Sequence, residues 1–348
     1  MADRRYGVAL VGAGNIAPAH IDAVAADERA RLLGITAADA AQARALAARH
    51  GVRHYPDVAA IAADPDVDLV AICTPSGAHL EPATAVIRAG KHVVVEKPLE
   101  VSSERARALV KEADAAGVTL STVFNSRFGD ANAFVRRAVT EGRLGRMVQG
   151  DAYVKWFRDQ AYYDSADWRG TFRLDGGGAL MNQAIHHLDL LLWIMGPVRE
   201  VFAYADTLTH QGLEVEDTLV AVMRYRNGAL GTFTAATSLF PGRPKALDLH
   251  GSRGAISVRD EAIVSCELAD LTDEERAAMP GTTAGSTSGT FADPMAMSFE
   301  NHRRQLEDFL RAIDEGTAPL VDGREGLRSV ALVEAIYRSV REGRPVAP

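Results

Sequence analysis

The sequence predicts an α/β protein of two domains: a doubly wound parallel sheet over residues 1–124, then an α/β domain over 125–348 with an open, mostly antiparallel sheet. Three observations carry this reading. The chain has 348 residues, and at about 150 residues per domain that length favours two domains, each large enough for its own core. From Gly7 to Phe124, short β-rich runs alternate with Ala-rich helical stretches, the grammar of βαβ units whose sheet is covered on both faces. After Phe124 the strand-like runs become consecutive, as in antiparallel sheets.

In chain order, strands are expected near 7–11, 31–35, 69–72, 92–96 and 119–124, with a weaker one at 53–55. Helices are expected at 17–26, 40–50, 58–63, 79–89 and 103–116. Asp39 reads as the N-cap of the helix that begins at Ala40, and Ser102 as the start of the helix that follows it. Gly90 and Gly117 fall where a left-handed cap is wanted. The second domain opens with a helix at 130–141, followed by strands at 146–157, 198–208, 216–225, 229–239 and 244–251. Between the first two of these strands lie the turn Gly176-Gly177-Gly178 and an apolar helix from about 179 to 195. The stretch 280–293, rich in Gly, Ser and Thr, reads as a mobile loop, and helices at 299–315 and 324–342 end the chain.

Composition excludes several classes of function. Hydrophobic residues make up 47% and charged residues 24%, an ordinary globular balance. Lys plus Arg total 38 against 46 for Asp plus Glu, a net charge of −8, so no protein-wide positive field recruits nucleic acid. The longest apolar run, Leu188 to Met195, is short and contains Asp189, which argues against a membrane span. Arg4 and Arg5 precede an apolar stretch, but Gly12 and Gly14 interrupt it, so it reads as a strand and not an export signal. Cys73 and Cys266 lie far apart in strand-like contexts, which fits reduced thiols and a cytoplasmic location.

Four segments have residues of chemical interest. Gly12-Ala13-Gly14-Asn15-Ile16-Ala17 follows the first strand and opens a helix, with Pro18 in the first turn. In such a turn the first glycine permits the bend, the second lets a pyrophosphate approach the backbone, and Ala17 allows close packing, while the helix start offers N–H groups to an anion. At the end of the second strand, the position where an acid would bind a ribose 2′-OH is Ala37, and no basic residue stands beside it for a 2′-phosphate. The choice between NAD and NADP is therefore open, with NAD slightly favoured. Glu96-Lys97-Pro98 lies at the carboxyl end of a parallel strand, where open α/β sheets bind ligands. Asn182, His186 and Asp189 share a helical stripe after the glycine turn, a costly arrangement in an apolar helix unless it is hydrogen-bonded or lines a cavity. Ligand spacing for a metal is absent, so no metal is expected.

Together, Gly12-x-Gly14-x-x-Ala17 with His20, Thr74-Pro75, Glu96-Lys97-Pro98 and Gly176-Gly177-Gly178-Ala-Leu-Met-Asn182-Gln183-Ala-Ile-His186 resemble the glucose–fructose oxidoreductase, inositol dehydrogenase and rhizopine catabolism (Gfo/Idh/MocA) family over essentially the whole chain. The resemblance implies a Rossmann domain, a C-terminal domain for substrate binding and oligomerisation, and NAD(P)-dependent oxidation or reduction of sugars or cyclitols. It implies that Lys97 contacts the reacting hydroxyl and that His186 is the catalytic histidine. Many members have Asp where this chain has Asn182, which can only orient by hydrogen bonds. The candidate cofactor contacts are Gly12, Gly14, Asn15, Ile16, Ala37, Thr74, Pro75, His79, Glu96 and Lys97. Asn182, Arg127, Lys155, Trp168 and Arg169 are the candidate substrate contacts.

Hydride leaves a carbinol carbon only if the hydroxyl proton is also taken, a role that suits His186, with Lys97 stabilising alkoxide character on the same oxygen. The expected partners are a small polyol or sugar and a second copy of the chain, as a homodimer or homotetramer through the C-terminal sheet. Two alternatives use the same fold: a catalytically silent dinucleotide-binding regulator, against which the presence of both Lys97 and His186 argues, and a glycosidase that oxidises transiently with bound NAD.

Overall fold

Strands β1 (Tyr6–Val11), β2 (Ala30–Thr36), β3 (Arg53–His54), β4 (Leu69–Ile72), β5 (His92–Val95) and β6 (Leu120–Thr122) pair in parallel, in the order β3-β2-β1-β4-β5-β6. The computed structural model describes residues 5–280 and 299–348. β1, β4 and β5 are nearly all buried because helices cover both faces of their sheet. Ala17, Ile21 and Val24 of α1 (Ala17–Ala25) and Leu46 and Ala47 of α2 (Ala40–His50) pack into the core on one face. On the other lie Ile61 of α3 (Val58–Ala63), Val86 and Ile87 of α4 (Leu80–Arg88) and Leu109 of α5 (Ser103–Ala116).

The helix ends follow local chemistry. The Asp39 carboxylate accepts from the N–H groups of Ala41 and Gln42 at 2.9 and 3.0 Å, and the Ser102 hydroxyl accepts from Arg105 N–H at 3.3 Å. Gly117 takes φ 65° after α5, in the left-handed region that costs a glycine nothing.

The second sheet is assembled from β7 (Met147–Lys155), β8 (Val198–Asp206), β9 (Thr218–Tyr225), β10 (Leu230–Ala236), β11 (Ala246–Gly251), β12 (Gly254–Arg259) and β13 (Ala262–Leu268), in the order β13-β12-β11-β7-β10-β9-β8. Only β7 and β10 pair in parallel; the other neighbours are antiparallel. The hairpin β12–β13 was not expected. Its tight turn holds Asp260 at φ 51°, inside a charged run that masks the strand periodicity. The remaining helices here are α6 (Asp130–Thr140), α7 (Gln160–Asp164), α8 (Ile185–Met195) and α9 (Asp273–Ala277). The apolar helix expected from 179 to 195 spans those residues, with Ala179–Ala184 wound as a π-helix that runs on directly into α8.

The chain crosses from one compact unit to the other after Asn125, but it does not stay in the second. One unit is Met1–Asn125 with Ser298–Val330, and the other is Ser126–Met297 with Ala331–Pro348. The returning segment carries α10 (Glu300–Glu315) and the start of α11 (Gly323–Glu342). Leu306, Phe309 and Leu310 of α10 complete the core beside α1, each burial worth about 1.5–3 kcal/mol. Of the loop expected at 280–293, all but Pro280 lies outside the described residues. No described helix is long and apolar enough to cross a membrane.

Candidate active site

The strand order of the first sheet reverses between β1 and β4, the switch point where doubly wound sheets receive ligands at their carboxyl ends. Gly12 stands there with φ 116°; its N–H donates to the Thr36 carbonyl at 2.7 Å, and a Cβ would overlap the Cys73 carbonyl. Gly14 differs. A Cβ on it would meet nothing within 4 Å, and Gly14 and Asn15 are exposed. The helix that follows has no side-chain cap at Ile16, and Pro18 occupies its first turn. A helix start without a side-chain acceptor, beside open space, fits the pyrophosphate of a dinucleotide. Beyond β2, Ala37 is half-buried and Asp39 is committed to capping α2, so neither supplies a free carboxylate.

At the ends of β4 and β5 the structure divides the expected residues. Thr74 and Pro75 are half-buried at the exit of β4, with the Thr74 hydroxyl donating to the Ala78 carbonyl at 2.8 Å. His79 lies below the surface behind these turns. It is fully buried, with Nδ1 3.0 Å from the Pro98 carbonyl and Nε2 3.0 Å from the Thr74 carbonyl, so it ties the two exit turns together. Glu96 is likewise buried. It is 5% exposed; Oε1 lies 2.8 Å from His20 Nε2, and Oε2 accepts the Lys97 N–H at 3.0 Å. Lys97 itself is half-buried and precedes a cis peptide bond to Pro98.

Burial alone would raise the Glu96 carboxyl, but the hydrogen bond and charge of His20 outweigh it and hold it at about 2. Burial likewise works against a charged His20, and Cys73 and Glu96 overcome it, raising the ring to about 10. His302, edge-on to His20 with ring centroids 5.3 Å apart, is kept neutral by burial and by the His20 charge, at about 4. His20, Glu96 and His302 thus bring three ligand-type groups together, which sequence spacing did not reveal. The proton between His20 and Glu96 already supplies the charge compensation that a cation would bring.

The second unit holds the glycine turn and the helix after it. Asn182 lies in the π-helix, whose bonds run i→i+5. His186 is half-buried in the first turn of α8. Asp189 is fully buried and binds Arg127 through both oxygens, at 2.6 and 2.7 Å. Arg127, 2% exposed, is held in this buried ion pair.

Asn182 Nδ2 donates to the buried Asp175 carboxylate, and its Oδ1 accepts from Gln183 Nε2. Gln183 also donates to the Tyr162 hydroxyl at 2.9 Å. The Arg169 guanidinium lies 4.2 Å from the Tyr162 ring and 4.7 Å from the Trp168 ring. The structure therefore links Asn182, Trp168 and Arg169 through Gln183 and Tyr162, two residues the sequence did not single out. Lys155 stands over the Tyr153 ring at 4.6 Å.

A further missed residue is Glu216, just before β9. Its Oε2 accepts the Gly178 N–H at 3.1 Å, its Oε1 accepts the Leu180 N–H at 2.9 Å and the Tyr337 hydroxyl at 3.0 Å, and its carbonyl accepts the Ala179 N–H at 3.0 Å. Burial pushes its carboxyl up to about 7 against the pull of these donors. An acid beside Asp217 at a strand start was the only sequence signal.

Residues 6–124 match the oxidoreductase family's NAD-binding Rossmann fold, and residues 136–347 match its C-terminal alpha/beta domain. The chain is 28% identical to inositol 2-dehydrogenase of Rhizobium meliloti, over 99% of this chain and 98% of that protein. It is similar to the crystal structure of the WlbA dehydrogenase of Bordetella pertussis in complex with NADH and UDP-GlcNAcA, with 34% identity, a TM-score of 0.89 and coverage of 100% and 99%. The corresponding Chromobacterium violaceum structure gives 33% identity, a TM-score of 0.88 and coverage of 100% and 97%.

Proposed function

The chain belongs to the Gfo/Idh/MocA oxidoreductase family, and from that premise we propose that it moves hydride between NAD or NADP and a hydroxyl-bearing carbon of a sugar, sugar derivative or cyclitol. The observation that carries the cofactor reading is the uncapped helix start at Ile16, with open space at Gly14 on the switch point. Gly12, Gly14, Asn15 and Ile16 hold the pyrophosphate, Ala37 borders the adenosine ribose, and Thr74, Pro75 and Lys97 border the nicotinamide end. A nicotinamide bound there supplies the hydride acceptor or donor.

The residues of the chain handle the proton. His186 takes it from the substrate hydroxyl as general base and returns it in the reverse direction. Lys97 stabilises the developing charge on the same oxygen. Asn182, held by Asp175, orients the substrate by hydrogen bonds, and Trp168, Arg169 and Lys155 offer it a stacking face and cationic donors. The second domain binds substrate and forms the contact of a homodimer or homotetramer; Tyr204, Val220, Val222 and Leu230 are exposed on one face of its sheet, a patch that favours such a contact. The location is cytoplasmic, and nucleic acid and membrane are not partners.

The test is a screen of sugars, sugar acids, inositols and UDP-GlcNAcA with NAD and NADP, following reduced nicotinamide by absorbance. Turnover with one of them is the expected result. A folded protein that binds neither nucleotide and turns over none of the panel overturns the reading.

A further inference from the structure

The helix bearing Asn182 and His186 begins with N–H groups that need acceptors, and neither of its starts has a side-chain cap at the capping position. One distant residue fills that need. Glu216 accepts from three successive peptides, Gly178 and Leu180 through its carboxyl oxygens and Ala179 through its carbonyl, and it is 7% exposed. Tyr337 of α11, half-buried, donates to the same carboxyl at 3.0 Å, and its oxygen lies 3.3 Å from the Gly178 nitrogen that donates to it.

The glycines of the turn exist for this clamp. A Cβ on Gly178 would overlap the Glu216 carbonyl, and one on Gly177 would overlap the Tyr337 hydroxyl. Glu216 and Tyr337 come from the start of β9 and the middle of α11, so three parts of the second unit meet at the first turn of one helix. Asn182 N–H then bonds to the Gly178 carbonyl at 3.0 Å, so the peptide that Glu216 holds is also the one on which Asn182 rests.

We propose that Glu216, with Tyr337 as its support, is the positioning residue for the helix that carries Asn182 and His186, setting the angle at which these two side chains are presented. The proposal rests on the proposed role of His186. Amide groups cannot replace the carboxyl: in Glu216→Gln one oxygen becomes a donor that faces another donor. Displacement of a general base by about 1 Å costs up to ~100-fold in rate.

The experiment compares the full-length wild type with Glu216→Gln and Tyr337→Phe. It reads hydrogen exchange of the peptides covering 178–184, the titration of the His186 ring by NMR, cofactor Kd, and kcat and KM with the best substrate from the screen. In Glu216→Gln, faster exchange at 178–184, a moved His186 titration and a ~10- to 100-fold lower kcat are expected, with cofactor Kd unchanged. Tyr337→Phe, which loses a single hydroxyl, moves the same quantities less and remains informative should Glu216→Gln not fold. Exchange that does not change, or exchange that opens while the His186 titration and kcat stay put, overturns the proposal. If the wild type turns over no substrate, the proposed function fails while exchange and the His186 titration still decide the role of Glu216.

Discussion

Two glycine-rich turns in this chain lead into helices, and they treat the first N–H groups of those helices in opposite ways. The turn Gly12–Ala17 leaves its helix without a side-chain cap and keeps open space at Gly14. After the turn Gly176–Gly178, the N–H groups of Gly178, Ala179 and Leu180 are taken by Glu216 from within the same unit, and the Cβ positions of Gly177 and Gly178 are occupied by protein atoms. The first arrangement is suited to an anion that comes and goes; the second fixes a helix for good. Gly14 stands beside open space and Gly178 against a backbone carbonyl, and sequence alone writes both the same way.

The largest effect that tests this contrast is on folding. Gly178→Ala must drive a methyl into a backbone carbonyl, so it should yield little soluble protein or lose more than about 3 kcal/mol in denaturant titration, whereas Gly14→Ala should stay within about 1 kcal/mol of wild type. Equal stability of the two variants would erase the distinction. Next come the side chains that each region delivers. Lys97→Ala should lower kcat by ~100-fold or more, and His186→Ala by ~100- to 10,000-fold with loss of the near-neutral limb of the pH profile. In the proposed mechanism both act on one oxygen, so the double variant should fall well short of the product of the two losses, and strict additivity would separate their roles.

Gly14→Val sharpens the open side of the comparison. A branched side chain there meets no protein atom but fills the pyrophosphate space, so cofactor affinity measured by calorimetry should drop at least ~30-fold, near 2 kcal/mol, at unchanged Tm. Full affinity would remove the anion site from Gly14. The smallest effect concerns the buried pair beside this turn. Glu96, held at about 2, stabilises the fold above its ordinary range near 4.5 and loses that contribution as pH falls toward 2. His20, raised to about 10, stabilises below 6.5 and loses its contribution as pH rises toward 10. The Tm gap between wild type and Glu96→Gln should therefore be widest between about pH 4.5 and 6.5 and narrow on both sides; a gap independent of pH would mean that the pair contributes no charge stabilisation.

The sequence by itself determined the parallel sheet, its helices and caps, and the glycine turn on β1, because each is written in a local pattern: alternating short apolar runs, Asp39 and Ser102 before helices, Gly117 after one. It also placed Lys97 at a strand end, since Pro98 and a run of valines mark that end without help from the rest of the chain. Tertiary structure alone decided what the buried polar residues do. His79, Glu96 and Arg127 looked available to ligands, yet each is engaged by partners 17 or more residues away, at Pro98, His20 and Asp189. The return of α10 to the first unit and the clamp from Glu216 and Tyr337 likewise join segments far apart in sequence. A buried donor or charge must find its partner wherever the fold brings one, and that partner leaves no mark on the residues beside it in the chain.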